Sequence, residues 1–413
     1  MKNTFNVYPK RVIFVSVFSL VFCFSFLLAI LTHFQYRAAL VSLLVIPLVF
    51  IYGLKVDQVF LAYILLAGIV VVSGIYNQTP LIDIFVFMRV LVFSYLIYYL
   101  VKVSITPKSI VPVMKAAIWI AVIQLPIILL QWELYDSIPL AWRGPAALVD
   151  FGSGTFNYST DYALSFFLVL VVIYLLFAKK SNSFEKYKYF IALWLSLTVL
   201  VANSQIVKIP LLIVWFIYIL KNFKIKTLIV FGIGILVVGV FISIVYKSNL
   251  ITENITTFID RLSSSGDINT YLEGGYSRFS AIKFFATDGF TLLGDGPSAY
   301  SDPFTRTLLR GNTGHFFLFF SEVGFLGFIA SLLLIFTVAF PIINGKIYAT
   351  WVNILAFFSI IILAFTANVM NDAAVFLIYC IISRAGIIHA NQDIINTQKS
   401  FEIMKAKDFH AAP

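Results

Sequence analysis

Apolar runs close to twenty residues long recur from one end of this chain to the other, beginning with VSVFSLVFCFSFLLAIL (15–31). Each is about long enough to cross a bilayer as an α-helix, in which backbone groups are paired within the segment. Of the 413 residues, 61% are hydrophobic, only 12% are charged and 43 are phenylalanine. A soluble protein carries roughly twice that charged fraction. The expected fold class is an all-α polytopic membrane protein, one integral membrane domain over 1–413.

Twelve spans are expected: about 12–31, 38–54, 58–76, 84–101, 110–131, 161–178, 189–203, 206–220, 227–247, 316–340, 347–367 and 373–389. Lys10 and Arg11 precede the first run as in a signal peptide, but the run is too long and lacks a small-residue cleavage site. It reads as a retained helix. Cys23 and Cys380 both fall inside expected spans, where they act as small apolar residues, so no disulfide or metal framework is implied.

The net charge of +10 has a topological reading, since positive residues gather on the cytoplasmic side of membrane proteins. No basic patch with interleaved aromatics points to nucleic acid. Starting inside, the twelve spans put Lys102, Lys108, Lys346, KKSNSFEKYK (179–188), KNFKIK (221–226) and both termini in the cytoplasm. Two long segments then lie outside, 132–160 and 248–315, and loops of that length are usually functional. Arg11 and Arg384 aside, the cytoplasmic cations are nearly all lysine. Outside stand Arg37, Arg143, Arg261, Arg278, Arg306 and Arg310 against Lys208, Lys247 and Lys283. Arginine's planar fork grips phosphate or carboxylate through two hydrogen bonds, so the outer face is suited to holding an anion.

Two arginines have a glycine eleven positions later, Arg143 to Gly154 and Arg278 to Gly289, one pair in each long loop. With glycine at its usual frequency, about half a hit is expected among nine arginines. YSRFSAIKFFATDG (276–289) reads as a short helix capped by Ser277 and Gly289, with Phe279, Ile282 and Ala286 as an apolar stripe for the membrane surface. Arg278 then falls in a first turn whose unpaired N–H groups also attract anions. In the first loop, Pro145 starts a shorter helical turn ending near Gly152. A lone loop arginine is better explained by a lipid headgroup. The pair favours a site.

LLGDGPSAYSDPFTRTLLRGNTGHFFLFFSEVGFLGF (292–328) follows. Gly294, Gly296 and Pro297 make a sharp turn. Arg306, Arg310 and His315 lead into the tenth span, where Glu322 lies two turns in and Gly324 and Gly327 allow close packing. His315 suits a general base, a phosphate donor or a packing role at the interface. An intramembrane carboxylate is costly enough to suggest that Glu322 has a role. Arg89, deep in VFMRVLVF, either neutralises Glu322 or lines a cavity.

With these features the chain resembles the O-antigen polymerases (Wzy) of the wider O-antigen ligase and polymerase superfamily. The resemblance rests on the twelve-span layout, the two outer Arg-x10-Gly loops and the closing run GHFFLFFSEVGFLGF. It implies that Arg143 and Arg278 match the arginines opening the two loop motifs. In related ligases, outer-face arginines engage the pyrophosphate of a polyprenyl carrier and a histidine near the last large-loop helix helps catalysis. His315 matches that histidine, with Phe316 where the common form has asparagine. The ligases' arginine in the seventh-to-eighth hairpin is missing from NSQIVK (203–208), which has Lys208 nearby.

The resemblance implies a glycosyltransferase of the bacterial inner membrane whose donor is an oligosaccharide on undecaprenyl pyrophosphate. Arg143 and Arg278 would stabilise the leaving pyrophosphate without a metal or cofactor, and His315 or Glu322 would take the acceptor hydroxyl proton. Arg261, Arg306, Arg310, Arg89, Gly154 and Gly289 complete the expected substrate-binding set. Tyr158, Tyr162, Tyr271, Tyr276 and Tyr300 suit sugar stacking or an interfacial belt. A chain-length regulator and a flippase are candidate partners. Two rivals stand beside polymerase: O-antigen ligase, with lipid A core as acceptor, and a flippase or secondary transporter, which usually has repeated halves and interrupted helices.

Overall fold

Asp57 stands just before QVFLAYILLAGIVVVSGIY, and its carboxylate accepts the Phe60 N–H at 2.8 Å, starting helix α1 (Gln58–Tyr76). The computed structural model describes residues 45–54, 56–134, 137, 154–156, 161–178, 184–202, 204–222, 232, 291–299, 314–343, 346–347 and 349–388. After α1 the chain turns over Asn77–Pro80 into α2 (Leu81–Ser104), then continues as α3 (Ile110–Val122) and α4 (Gln124–Glu133). Helices α5 (Asp161–Phe177), α6 (Lys188–Val201) and α7 (Gln205–Lys221) follow. The last group is α8 (His315–Ala339), α9 (Trp351–Ala364) and α10 (Ala373–Ile388). A two-residue hairpin, β1 (Ile342–Ile343) against β2 (Lys346–Ile347), joins α8 to α9.

Helix α5 is the centre. Every residue from Phe166 to Ile173 is fully buried, so the helix is apolar all round and enclosed by its neighbours. The outer helices do the reverse. Leu61, Ile64, Leu65, Val72 and Ile75 on α1, and Leu212, Phe216 and Leu220 on α7, are exposed. A helix facing water would carry polar residues there. Four apolar helical stretches are long enough to cross a membrane: α1, α2, the run Ile110–Glu133 and α8. At 19 residues, α1 alone extends about 28 Å.

The two ends of the bundle differ in chemistry. At one end Lys102 forms an ion pair with Asp57, whose carboxylate also accepts the Tyr98 hydroxyl at 2.6 Å. Arg384 Nε donates to the Ile105 carbonyl at 3.4 Å. Asn353 Nδ2 reaches the carbonyls of Ala339 and Ser383 at 2.8 and 2.9 Å, fastening α8, α9 and α10 together. Gln58 holds the same end of α8, accepting the Ile342 N–H at 2.9 Å. Because α1 starts where α8 finishes, the two run antiparallel. The opposite end, where α1 and α9 finish and α8 begins, holds His315.

The helices coincide closely with the expected spans from 58–76 to 206–220 and with the last three, and helix also occupies 45–52 within the expected 38–54. The expected spans 12–31 and 227–247 lie, but for Gly232, outside the described residues, as do Cys23 and most of both long loops. Cys380 is a buried free thiol within α10. Two spans depart from expectation: 110–131 is divided at Ile123 into α3 and α4, and the tenth is interrupted more sharply. The run 316–340 reads as continuous helix, but α8 is broken at Gly324.

Candidate functional site

Gly324 has φ +81 and ψ −172, which no helix accommodates, and the break leaves backbone groups without intrahelical partners. Residues 291–298 supply them. The Asp295 and Gly296 N–H groups donate to the carbonyls of Ser321 and Glu322, both at 2.9 Å. On the far side of the break, the Phe325 and Leu326 N–H groups donate to Thr291 and Leu292 at 3.0 and 3.2 Å. The sharp turn expected at Gly294 and Gly296 is present, with φ +69 and +100. Gly324 therefore does more than permit close helix packing. It lets the turn-rich segment 291–298 enter the helix.

The last turn of α1 secures this junction. Ser73 Oγ donates to the Leu293 carbonyl at 2.5 Å and lies 3.2 Å from the Glu322 carbonyl, while Asn77 Nδ2 donates to Gly294 at 3.1 Å. Glu322 is fully buried, and its carboxylate accepts the Ser298 N–H at 3.0 Å. Ser73 is three residues from the end of α1, so the break lies about 5 Å from that end.

The first half of α8, 315–323, therefore has both ends fixed at one end of the bundle. Its Gly324 end is tied to α1, and its His315 N–H donates to Ala367, just beyond α9, at 3.0 Å. It runs across the bundle end rather than along the bundle. Gly314 is obligatory on packing grounds, because a Cβ there would strike the Phe365 backbone. Phe319 packs on His315 with ring centroids 4.5 Å apart and on Phe87 of α2 at 5.3 Å.

His315 is fully buried. Its Nδ1 lies 3.3 Å from Asn368 Oδ1, and its Nε2 has no hydrogen-bond partner among the described residues. The segment 365–372 that carries Asn368 also carries Asp372. This buried carboxylate caps α10 by accepting the N–H groups of Ala374 and Val375 at 3.0 and 3.1 Å.

Gly154, expected as the partner of Arg143, is also described. It has φ +61, and both its backbone groups bond to one side chain: its N–H donates to Gln131 Oε1 at 2.9 Å, and its carbonyl accepts Gln131 Nε2 at 2.7 Å. Two helical turns away on the same face, Gln124 accepts the Thr155 N–H at 2.8 Å and donates to its hydroxyl at 3.0 Å. Phe156 is buried against Phe167 of α5. A Cβ at Gly154 would collide with the Gln124 amide oxygen. The end of the first loop is thus clamped into the bundle eleven residues after Arg143.

Arg89 lies half-buried on α2, two residues past Phe87, and is engaged by neighbours. Lys208 is buried in the first turn of α7 and is likewise engaged. Phe177, at the end of α5, meets Trp351 at the start of α9, and Lys221 at the end of α7 lies over both rings. Lys208 therefore belongs to the His315 end. Tyr162 is half-buried at the start of α5. Arg143, Arg261, Arg278, Arg306, Arg310, Gly289, Tyr158, Tyr271, Tyr276 and Tyr300 lie outside the described residues. No cluster of three or more His, Cys, Asp and Glu suited to a metal occurs among the described residues.

Asn368, Ser298, Gln124 and Gln131 were not legible as site residues. Asp372 alone carried a signal, as a capping aspartate just before the run AAVFLIYCII. Fold and site together define an all-helical protein with apolar helices of membrane-crossing length and a polar cluster at one bundle end. Neither a protein-family model nor a curated protein matches the chain.

Proposed function

We propose that the chain is an O-antigen (surface polysaccharide) polymerase of the bacterial inner membrane, with twelve spans and two periplasmic loops. It transfers glycan from undecaprenyl pyrophosphate onto another lipid-linked repeat unit, without a metal or cofactor. The observation that carries the reading is His315, a fully buried imidazole whose Nε2 has no partner among the described residues, at the bundle end to which the arginine-rich loops lead. Lys102 and Arg384 at the opposite end support a cytoplasmic assignment of that end by the charge rule, with the His315 end periplasmic and both termini cytoplasmic as part of the proposal.

In the proposed reaction, Arg143 and Arg278 hold the pyrophosphate, with Arg261, Arg306 and Arg310 around the substrate. As the anomeric C–O bond breaks, the pyrophosphate leaves with the electron pair, and the fixed guanidinium charges stabilise it. The acceptor hydroxyl oxygen bonds to the anomeric carbon and gives its proton to His315 Nε2. Glu322 is the weaker candidate for that base, because its carboxylate already accepts the Ser298 N–H. Gly154, bound by Gln131, anchors the loop that carries Arg143.

One observation favours a second reading, a lipid-oligosaccharide flippase or transporter, since interrupted helices are common there. Transporter breaks lie near the bilayer midplane, however, whereas this one is level with the last turn of α1. Reconstitution with carrier-linked repeat units alone separates the readings. Longer carrier-linked chains are expected. Extension only when lipid A core is supplied identifies a ligase. Translocation of lipid-linked units without any extension, abolished by Arg143→Ala and Arg278→Ala, identifies a flippase.

A further inference from the structure

We infer that Asn368 is a positioning residue for His315, its carboxamide oxygen holding the ring as the Nδ1–H tautomer and leaving the Nε2 lone pair free to accept a proton. The inference rests on the proposed role of His315 as the base in glycan transfer.

The orientation of the Asn368 carboxamide follows from a second contact. Asn368 Oδ1 also accepts the backbone N–H of Asn371 at 3.3 Å. Reversing the amide would set its NH2 against that N–H, donor against donor. An oxygen therefore faces His315 Nδ1, and an oxygen with no hydrogen of its own can only accept. Nδ1 must carry the hydrogen. In the neutral ring Nε2 is then the acceptor, and it is the buried atom that lacks a partner among the described residues. The His315 backbone adds to the constraint through its bond to Ala367, the residue before Asn368.

The same contact serves both protonation states. Before transfer Nδ1–H donates to Asn368. After Nε2 has taken the hydroxyl proton, the imidazolium still donates through Nδ1, so no partner must turn as charge develops. At 3.3 Å the bond is long for N–H···O, and such contacts tighten once the ring is charged. A leucine at 368 would remove the acceptor and free the tautomer. An aspartate would keep an acceptor in place.

The test reads the tautomer directly. The full chain is prepared in lipid nanodiscs with 15N-labelled histidine rings, and the His315 signals are identified by their loss in His315→Gln. The expected result is protonated Nδ1 and bare Nε2 in the unmodified protein and in Asn368→Asp, with loss of that preference in Asn368→Leu. Chain extension of carrier-linked repeat units is then measured. Asn368→Leu is expected to lower kcat roughly 10–100-fold with KM within about twofold, and Asn368→Asp to restore most of the rate. A bare Nδ1 and protonated Nε2 in the unmodified protein overturns the inference, whatever the activity, and needs no destabilising variant. An unchanged kcat in Asn368→Leu overturns it too. If the tautomer is as stated but the unmodified protein extends no carrier-linked glycan, the positional relationship stands and the polymerase reading falls.

Discussion

Gly294 and Gly324 press their backbones together so closely that neither position has room for a Cβ. One built on Gly294 comes within 2.5 Å of the Gly324 nitrogen, and one built on Gly324 runs into the Gly294 nitrogen and the Leu292 carbonyl. Both residues also have positive φ. The contact is where the segment 291–298 enters the broken helix α8, so it fixes the half-helix that presents His315.

Alanine at either glycine meets both steric penalties at once. Gly324→Ala and Gly294→Ala are each expected to cost about 3 kcal/mol or more, combining left-handed strain with backbone collision. Thermal unfolding in detergent measures it. Gly68→Ala is the control, since a Cβ there meets nothing within 4 Å. This control should be neutral or slightly stabilising, by up to about 1 kcal/mol. Equal behaviour of the three variants would contradict the described junction.

Gln131 is expected to matter out of proportion to its size. Gln131→Leu strands the buried N–H and carbonyl of Gly154 together, at about 1–3 kcal/mol for each unsatisfied group. Unfolding should therefore shift by several kcal/mol, whereas Gln131→Glu, which keeps one acceptor, should lose less. A leucine variant as stable as the unmodified protein would mean that the clamp does not hold.

The roles of Glu322 and His315 separate by isosteric substitution. Glu322→Gln keeps an acceptor oxygen for the Ser298 N–H, so stability within about 1 kcal/mol and retained chain extension are expected. Glu322→Leu leaves that N–H unpaired and should cost about 1–3 kcal/mol. Loss of extension in Glu322→Gln, with folding intact, would move the base from His315 to Glu322.

Asn353 tests the opposite end of the bundle. Its amide joins the carbonyls of Ala339 and Ser383, far from His315. Asn353→Leu should lower stability by about 2–4 kcal/mol, because two buried carbonyls lose their donor. At a temperature where the variant remains folded, its KM for carrier-linked glycan should be unchanged. A raised KM would tie the two ends together in a way the packing does not suggest.

The helices were readable because each is a long apolar run, and a run such as QVFLAYILLAGIVVVSGIY requires only its own backbone for pairing. The break in α8 was not, because SEVGFLGF contains no proline and its apolar pattern continues through Gly324. What bonds into that break is a turn segment more than twenty residues earlier, and local pattern does not encode such a pairing. Gly154 illustrates the same limit. Its spacing from Arg143 is visible in the sequence, but the reason for glycine is a clamp from Gln131, 23 residues upstream. The position of His315 at the mouth of a span was legible. Its partner Asn368, 53 residues downstream, was not, because only the packing of α9 beside α8 brings the two together.

In the proposed reaction His315 accepts the hydroxyl proton during glycan transfer at this bundle end. Chain extension by purified protein in proteoliposomes, supplied only with undecaprenyl-pyrophosphate-linked repeat units, tests it most directly. The unmodified chain should build a ladder of longer carrier-linked glycans, and folded His315→Gln should be slower by roughly 10²–10⁴-fold. A His315→Gln variant that builds the same ladder at the same rate would contradict the account.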